Sequence, residues 1–404
     1  MATTRTTWTF NTAGQLLFGA NAVEQLGDVA ARLGAKRLLI VTDKPLVDAG
    51  IVDRIRRPLT ASGVTVNVFD EGRPDPPVHA VNRAVELAQE FKPDTLLGLG
   101  GGSNMDLAKA AATLLAHGGT CHDWAGDQLV PGPVFPLILA PTTSGTGSEV
   151  TAAAVLNDTG AGKKFAILSN YIRPNVALVD STLTLSCPPM VTAGSGIDAL
   201  THAIESYMAV DNEEFPLPTG ERTVYQGRHP IANVLAEQAI GLVGRNLRAA
   251  VSDGSNLEAR TGMSLAATTA GMSFSNVGVA VVHALEYALA EVAHTPHGCG
   301  CGLLLPYVMR FNAPARLPQL ARIAELLGED IAGLDEEAAA MRAVEAVARL
   351  KADIGIPERL SDVGVCSDQL PAMAEKAIGL QRILRVNPRF PTQQDLEDIL
   401  RSAL

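Results

Sequence analysis

Two histidine-bearing stretches carry side chains that could hold a catalytic metal ion. Asp198 and His202 lie four residues apart in GIDALTHAIESY, and His283 and His297 belong to VVHALEYALAEVAHTPHG. Residues at positions i and i+4 project from the same face of a helix, so Asp198 and His202 can converge on one ion. Three imidazoles and one carboxylate suit a borderline divalent ion such as Fe²⁺ or Zn²⁺ and leave room for a substrate oxygen. The pattern therefore predicts a catalytic rather than a structural ion.

The same residues also have a structural interpretation. An Asp-x-x-x-His pair is common on helices, and His283 inside an apolar helix could be a core histidine satisfied by a hydrogen bond. Cys299 and Cys301 follow His297 closely and could add ligands, but small buried residues at the beginning of a helix are the better interpretation. From these residues alone, the metal and the structural interpretations stay open.

A glycine-rich turn could bind a phosphate group. The run LGLGGGSNMDLAKA places Gly100, Gly101, Gly102 and Ser103 after an apolar strand and before a helix. Consecutive glycines let backbone N–H groups approach a phosphate, and the following helix N-terminus offers unpaired donors. The alternative is that Ser103 and Asp106 merely form a capping box. Because strand, glycine turn and helix occur in that order, we favour a pyrophosphate site and count Asp106 with the glycines and Ser103 among the candidate cofactor-binding residues.

Two further segments could complete a nucleotide site. Asp43 ends the strand in LLIVTDK, where a carboxylate could accept hydrogen bonds from the adenine ribose hydroxyls and favour NAD over NADP. A turn-capping role for Asp43 is equally compatible with the sequence. The segment PTTSGTGSEV supplies hydroxyl groups that could close over the same cofactor, on Thr142, Thr143, Ser144, Thr146 and Ser148.

The surrounding segments predict two domains. In residues 1–187, strand-like runs alternate with amphipathic helical segments, which predicts a doubly wound parallel α/β domain. The glycine turn within it makes this the candidate dinucleotide-binding domain. The predicted strands are 37–43, 64–70, 94–102, 136–143 and 176–180. Two more β-like stretches, VTAAAVLND and KKFAILSN, predict a hairpin appended to that sheet, with its turn at 159–162.

Residues 188–404 predict an all-helical domain, which contains the four candidate metal ligands. Apolar residues recur there at three- and four-residue spacing, as in ANVLAEQAIGLVGRNLRAAV and EEAAAMRAVEAVARL. In the last helix, Thr392 and Asp395 fit a capping pair, and one face is apolar through Leu396, Ile399 and Leu400. The proline- and glycine-containing segment 215–230 predicts a long loop.

Composition restricts the class of protein further. The net charge of −11 over 404 residues argues against nucleic acid as a partner, and the apolar runs are shorter than a membrane span. The N-terminus lacks a signal-peptide stretch, and five scattered cysteines fit reduced thiols, so we expect a cytoplasmic protein. We expect a small-molecule substrate and a homodimer or larger homo-oligomer.

The order of four motifs resembles one known family. With GGGSNMDLAKA, PTTSGTGSEVT, GIDALTHAIESY and the last two histidines in this order, the chain resembles the iron-containing (group III) alcohol dehydrogenases over nearly its full length. The resemblance implies a metal in a cleft between the two domains, held by Asp198, His202, His283 and His297. It also implies pyrophosphate binding at Gly101, Gly102 and Ser103, nucleotide contacts at Thr142 and Thr143, and an adenosine-ribose contact at Asp43.

One departure from the family pattern affects the proton relay. Many members have a second histidine four residues after the one that matches His283, whereas this chain has Tyr287. Tyr287 and the TVYQGRHPIAN segment look like the hydroxyacid-oxoacid transhydrogenase branch, whose nicotinamide cofactor stays bound. Arg222 and Arg228 in that segment could pair with a substrate carboxylate, although solvent-exposed loop charges are the more frequent case.

The expected function is a metal-dependent, NAD(P)-linked alcohol dehydrogenase or aldehyde reductase for a small alcohol or hydroxyacid. A divalent ion lowers the pKa of an alcohol and polarises a carbonyl group, while the nicotinamide transfers the hydride. Besides the ligands His283 and His297, the candidates to relay the proton are Tyr287, His294 and the ribose hydroxyls. The alternatives are a retained-cofactor transhydrogenase, a metal-free maleylacetate-type reductase, a related lyase or cyclase, and a non-enzymatic binding module.

Overall fold

A computed structural model describes residues 6–160, 162–217 and 220–404. Ala161 of the predicted hairpin turn, Pro218 and Thr219 of the predicted long loop, and the first five residues lie outside the described residues. The chain divides into two compact units. One contains Asn11–Cys187 with Arg222–Val224, and the other contains the described residues up to Phe10, Pro188–Glu221 and Tyr225–Leu404.

The first unit alternates strands with helices. Its elements in chain order are β1 (Gln15–Phe18), α1 (Leu26–Leu33), β2 (Arg37–Val41), α2 (Lys44–Asp48), α3 (Ile51–Ala61), β3 (Thr65–Phe69), α4 (Val78–Phe91), β4 (Thr95–Gly100), α5 (Gly102–His117), β5 (Gly126–Asp127), β6 (Leu137–Pro141), β7 (Ala153–Asp158), β8 (Lys163–Leu168) and β9 (Val176–Val179). Within the described residues, the main sheet has six parallel strands in the order β1-β9-β6-β4-β2-β3.

Both faces of this sheet are buried, which explains the continuous apolar runs in its strands. In β2, Leu39 and Val41 join one hydrophobic cluster, and Leu38 and Ile40 join the cluster on the opposite face. A parallel sheet is buried on both faces because helices cover each face. The expected α/β fold class is confirmed. Strand β1 was not predicted, because it is a four-residue edge strand and is only partly buried.

The predicted hairpin forms, but its position differs from the prediction. β7 and β8 pair antiparallel and join β5 in a separate three-stranded sheet. β1 and β3 already occupy the two edges of the main sheet. The hairpin instead packs on helix α5, because Ala154 and Leu156 of β7 share a core cluster with Leu107 of that helix.

The strand order creates a binding position at the carboxyl-terminal ends of the central strands of the main sheet. From β2 the chain continues to β3 on one side and then returns to β4 on the other side of β2. In open α/β sheets, ligands bind at the carboxyl ends of the strands where the order reverses in this way. The carboxyl ends of β2 and β4 carry Asp43 and the glycine turn, respectively.

A lysine is completely buried beneath the hairpin. The Nζ atom of Lys109 donates to Ser148 Oγ (2.8 Å), Thr151 Oγ1 (3.1 Å) and the Ala153 carbonyl (2.7 Å), and it lies 3.8 Å from Asp106 Oδ1. Burial lowers the pKa of Lys109 from 10.5 to about 8, although Asp106 opposes the change.

This buried lysine predicts a pH-dependent stability. Between pH 8 and pH 10.5 the unfolded chain binds more protons at Lys109 than the folded chain does, so the free energy of unfolding rises with pH. Below pH 8, the buried charge is present in the folded state and costs stability. Urea unfolding at several pH values should therefore show wild type gaining stability relative to Lys109→Met as the pH rises from 8. A constant difference between the two proteins would contradict this.

The second unit is helical. Its helices are α6 (Pro189–Met208), α7 (Pro230–Ser252), α8 (Leu257–Val277), α9 (Val281–Ala293), α10 (His297–Leu326), α11 (Glu336–Asp353), α12 (Leu370–Ile378), α13 (Gln381–Leu384) and α14 (Gln393–Ser402). The Thr392 hydroxyl accepts from the Asp395 N–H, and the Asp395 carboxylate accepts from the Thr392 N–H, as predicted. Helix α6 is buried from Ile197 to Met208 on all sides, which places its polar residues in the interior.

No single helix among the described residues is long and apolar enough to cross a membrane. Helices α8 and α9 reach that length and composition only as a pair, and the pair is bent by 102°.

Candidate metal centre and nucleotide-binding turn

Three helices of the second unit bring the predicted ligands together. Asp198 and His202 lie on successive turns of α6, His283 lies in the first turn of α9, and His297 begins α10. The Asp198 Oδ1 atom is 3.9 Å from His283 Nε2 and 3.7 Å from His297 Nε2. His202 joins the group through its Nε2 atom, 3.1 Å from His283 Nε2, and through Nδ1, 3.8 Å from Asp198 Oδ2.

The chemistry of this group fits a divalent cation. Asp198 is 2% exposed, and its Oδ1 atom has no hydrogen-bond partner among the described residues. An unpaired buried carboxylate oxygen is costly unless a cation compensates it. Burial opposes the ionisation of Asp198, but positive charge on protonated imidazoles of His202, His297 and His283 outweighs burial and lowers its pKa. A bound cation would take the place of that positive charge once the rings are neutral. The carboxylate is therefore ready to bind a cation.

Two buried glutamates lie against two of the imidazoles. Glu205 Oε2 lies 2.6 Å from His283 Nδ1, and the same carboxylate accepts the backbone N–H groups of Ala280 (2.9 Å) and Val282 (2.7 Å). Glu286 Oε2 lies 2.6 Å from His297 Nδ1. The hydrogen bond between His283 Nδ1 and Glu205 fixes the proton there and directs the Nε2 lone pair inward, the usual arrangement for metal-binding histidines. Glu286 makes only an ion-pair contact with His297, because its carboxylate oxygens have no hydrogen-bond partner among the described residues.

Neither glutamate was predicted from the sequence. Each follows a predicted ligand by three positions in an apolar helix, Glu205 after His202 and Glu286 after His283. A carboxylate at that spacing inside a buried segment was the available signal. However, Glu205 contacts His283 and Glu286 contacts His297, so each serves a histidine of another helix. Spacing along one helix could not indicate that each glutamate contacts a histidine on a different helix.

Glycine at position 298 allows α10 to approach α6 closely. A Cβ atom at Gly298 would lie 2.0 Å from the Gly194 carbonyl oxygen and 3.0 Å from Asp198 Cβ. Only a residue without a side chain permits this approach. Since His297 precedes Gly298 directly, the close packing fixes the distance between His297 and Asp198.

The two cysteines of α10 occupy different surroundings. Cys299 packs against Gly194, whereas Cys301 lies among the predicted metal ligands with its Sγ atom 3.8 Å from His297 Nε2. Both are buried, as the sequence analysis expected of small residues at a helix start. Burial, reinforced by Asp198 and by Glu286, raises the pKa of the Cys301 thiol well above its usual value.

The candidate proton-relay residues lie in contrasting environments. The Tyr287 ring is 6.2 Å from the His297 ring, measured between centroids, and burial raises the pKa of its phenol. Tyr287 is therefore neutral near pH 7. His294 is exposed and ends α9 in a left-handed conformation (φ 51°). A relay role for either residue stays a prediction.

The glycine turn and the hydroxyl-rich segment lie side by side in the first unit. The Thr142 N–H donates to the Gly100 carbonyl (3.0 Å), and a Cβ atom at Gly102 would lie 2.7 Å from Thr146 Cγ2. Gly100 has φ of +141°, which L-residues rarely adopt. The turn thus needs its glycines and presents the N-terminus of the sixteen-residue helix α5 at the switch point of the sheet.

The capping-box alternative for this turn is not realised. Helix α5 begins at Gly102 with Gly101 as its N-cap, so Ser103 already lies inside the helix. The Asp106 carboxylate instead accepts from Ser148 Oγ (2.7 Å) and from the Val155 N–H (2.9 Å). Asp106 therefore anchors the hairpin to α5, and a contact with the cofactor stays a prediction for Asp106, as it does for Ser103 and Ser144.

Asp43 performs the capping role that the sequence allowed. Its Oδ1 atom accepts from the Leu46 N–H (3.0 Å) at the start of α2, and its Oδ2 atom accepts from Asn104 Nδ2 (2.7 Å). Asn104, in the first turn of α5, also donates to the Leu99 carbonyl of β4 (3.1 Å), so it links the ends of β2 and β4 and places Asp43 at the switch point. A ribose contact is compatible with this position and stays a prediction.

Arg228, one of two candidate partners for a substrate carboxylate, is engaged within the protein. Its Nε atom lies 3.3 Å from Asp211 Oδ1, and its guanidinium lies over the Tyr207 ring at 5.6 Å. Arg222 is exposed.

Comparison with known proteins identifies the family. The family sequence model for iron-containing alcohol dehydrogenases matches residues 13–181, and the family sequence model for the C-terminal part of the same proteins matches residues 221–404. The chain is 39% identical over 388 residues to long-chain-alcohol dehydrogenase 1 of Geobacillus thermodenitrificans, covering 95% of this chain and 94% of that protein. It is 31% identical over 423 residues to the mitochondrial hydroxyacid-oxoacid transhydrogenase of Xenopus tropicalis, covering 99% and 91%.

Solved structures agree. A crystal structure of 1,3-propanediol oxidoreductase matches with a TM-score of 0.92 at 37% identity, covering 98% of this chain and all of that chain. Sulfoacetaldehyde reductase from Bifidobacterium kashiwanohense in complex with NAD⁺ matches with a TM-score of 0.85 at 31% identity, covering 99% of each chain. The chain therefore belongs to the iron-containing alcohol dehydrogenase family and is an oxidoreductase that acts on CH–OH groups.

Proposed function

We propose that this protein is a metal-dependent, NAD-linked alcohol dehydrogenase that also reduces aldehydes, with a small alcohol or hydroxyacid as its substrate. The observation that carries the proposal is the Asp198 Oδ1 atom, which has no hydrogen-bond partner among the described residues and faces the Nε2 atoms of His283 and His297. The Nδ1 atoms of the same two rings lie against buried glutamates. Asp198, His202, His283 and His297 would hold the ion, with Fe²⁺ as the proposed metal and Zn²⁺ as the alternative.

The bound ion would supply Lewis-acid polarisation of the substrate oxygen, and the nicotinamide would carry the hydride. The chain's own residues provide the positioning. Glu205 holds the His283 ring in one tautomer, and Glu286 lies against the His297 ring. The glycine turn Gly100–Gly102 with Ser103 would bind the pyrophosphate, and the hydroxyls of Thr142, Thr143, Ser144 and Thr146 would contact the rest of the cofactor.

NAD is the proposed cofactor, with NADP as the alternative. A carboxylate near the adenosine ribose would repel a 2′-phosphate, and Asp43 lies at the switch point where that ribose would bind. The related structure in complex with NAD⁺ supports this choice. The five cysteines are free thiols, which supports a reducing, cytoplasmic compartment. A homodimer or larger assembly is also proposed, and light scattering on the purified protein would test it.

The direct test is an aldehyde and oxoacid panel with NADH or NADPH. Protein stripped by a chelator should not oxidise NADH, and added Fe²⁺ or Zn²⁺ should restore turnover. Full activity after verified removal of the metal would instead support the metal-free reductase. Absence of turnover over the whole panel with metal restored would contradict the proposed function.

The second candidate is a transhydrogenase that retains its nucleotide. Tyr287 and the 31% identity to the amphibian transhydrogenase favour it, whereas the 39% identity to a long-chain-alcohol dehydrogenase favours a freely exchanging cofactor. We expect NAD to separate from the protein on gel filtration. A stoichiometric nucleotide that co-elutes and exchanges hydride between a hydroxyacid and an oxoacid would support the transhydrogenase.

Glu286→Gln should weaken metal binding by about 10- to 100-fold, the usual effect of changing a partner of a metal-binding histidine. Gln keeps the size of the side chain but loses the charge beside His297 Nδ1, 2.6 Å away. Metal-buffer titration measures the change. The matched control is Glu325→Gln, which alters an exposed glutamate of the same unit that pairs with Arg322. Equal metal affinity in the two variants would show that Glu286 does not support the ligand.

A further inference from the structure

Cys301 lies among the metal donors without a role in the family's three-histidine and one-aspartate set. One ligand atom from each of Asp198, His283, His297 and Cys301 lies within 4.8 Å of the others. Ligand atoms at bond lengths of about 2.0–2.3 Å stand about 3.3–3.8 Å apart at tetrahedral angles, and Cys301 would be a fifth donor on an ion that can expand to five-coordination. The 3.8 Å from Cys301 Sγ to His297 Nε2 and the 3.7 Å from His297 Nε2 to Asp198 Oδ1 are close to that separation.

The backbone around Cys301 brings its sulfur into the group. Cys301 follows His297 by four positions on α10, so the two side chains share one helix face, as Asp198 and His202 do on α6. Its neighbours Gly300 and Gly302 have no side chains to hold α10 away. A Cβ atom at Gly300 would lie 3.0 Å from Glu286 Cγ, and one at Gly302 would lie 2.7 Å from Ile197.

A second observation concerns the Asp198 carboxylate, to which the Cys301 thiol hydrogen-bonds. The buried Asp198 Oδ1 atom, 2% exposed as a residue, has no hydrogen-bond partner among the described residues and faces the same space. Cys301 is itself completely buried, so its thiol is shielded from solvent. A buried carboxylate oxygen, imidazole nitrogens and a sulfur facing one another make a mixed donor set rather than an apolar pocket.

We propose that Cys301 is a sulfur ligand of the same divalent ion. The inference rests on the proposed metal site and specifies its ligand chemistry. On binding, the S–H bond of Cys301 breaks, its proton leaves to solvent, and the sulfur donates an electron pair to the ion without any change of oxidation state. A thiolate among imidazoles selects thiophilic and borderline ions, such as Cd²⁺, Zn²⁺, Co²⁺ and Fe²⁺, over Mg²⁺ and Mn²⁺.

The test is anaerobic titration of the metal-free, full-length protein with Co²⁺, followed by absorption spectroscopy. Visible ligand-field bands report that the ion is bound, and a near-ultraviolet sulfur-to-cobalt band reports that a thiolate is a ligand. We expect both bands in wild type and in Cys299→Ser, which alters a buried thiol of the same helix outside the donor group. Cys301→Ser should keep the visible bands and lose the near-ultraviolet band, and its Cd²⁺ affinity should fall at least about tenfold.

Each other outcome overturns the inference. Visible bands without a sulfur band in wild type would show that Cys301 is not a ligand and would leave the proposed function intact. A sulfur band that persists in Cys301→Ser would assign it to another thiol. No cobalt bands in wild type would contradict the proposed metal site itself, and with it this inference. Where Cys301→Ser fails to fold, loss of the sulfur band in Cys299→Ser would assign the band to Cys299 and overturn the inference, whereas its retention would exclude Cys299 as the source.

Discussion

His283→Ala should abolish stoichiometric metal binding and lower kcat by about 10³-fold, equivalent to about 4 kcal/mol of transition-state stabilisation. The substitution removes an imidazole that is 98% buried, that lies 3.1 Å from His202 and that faces Asp198. It also removes the Nδ1 atom that hydrogen-bonds to the Glu205 carboxylate. Elemental analysis of protein purified without chelator, together with NADH turnover, measures both effects.

The control for His283→Ala is His79→Ala, which replaces an exposed histidine on α4 in the other unit. It should retain the metal content and the turnover of wild type. Circular dichroism should show that both variants keep their helices. If His283→Ala retained one ion per chain with normal turnover, the assignment of His283 as a ligand would be wrong.

Gly298→Ala should weaken metal binding strongly and reduce the free energy of unfolding by about 1–3 kcal/mol, the usual cost of overpacking. The added Cβ atom would lie 2.0 Å from the Gly194 carbonyl oxygen and 2.7 Å from the Gly194 carbonyl carbon. Because both atoms belong to the backbone, no side-chain rotation relieves the clash. Helix α10 must move away from α6, which separates His297 from Asp198.

Metal content, thermal unfolding and kcat together test the Gly298 prediction. Gly132→Ala serves as the control, because its Cβ atom would meet only His117 Cε1, at an ordinary 3.8 Å. It should behave like wild type in all three measurements. Wild-type metal affinity in Gly298→Ala would mean that the close approach of the two helices does not determine the ligand geometry.

Local sequence patterns predicted the parts of the site that depend on one element. The i, i+4 spacing placed Asp198 and His202 on one face of α6, and the strand, glycine turn and helix around Gly101 form in the predicted order. The capping pair at Thr392 also follows from neighbouring residues alone. In each case the contacts involve residues within one or two helical turns of each other, where chain geometry fixes the neighbours.

Contacts between elements were the parts that sequence patterns could not provide. Glu205 and Glu286 each contact a histidine from a different helix, and the rotation of one helix against another depends on packing far along the chain. The same limit applies to Cys301, whose sequence context favoured a small buried residue over a ligand and could not show which side chains of α6 and α9 lie beside it. The hairpin was predicted but attached to the wrong sheet, because strand pairing within it says nothing about which edge is available.

Anomalous diffraction from crystals of protein purified without chelator tests the central claim most directly, with data collected on both sides of the iron and zinc absorption edges. We predict one strong peak per chain in the second unit, about 2.0–2.2 Å from donor atoms of Asp198, His202, His283 and His297. The edge at which the peak appears identifies the metal. The claim would be contradicted if protein that turns over its substrate showed no such peak and the four side chains pointed away from one another.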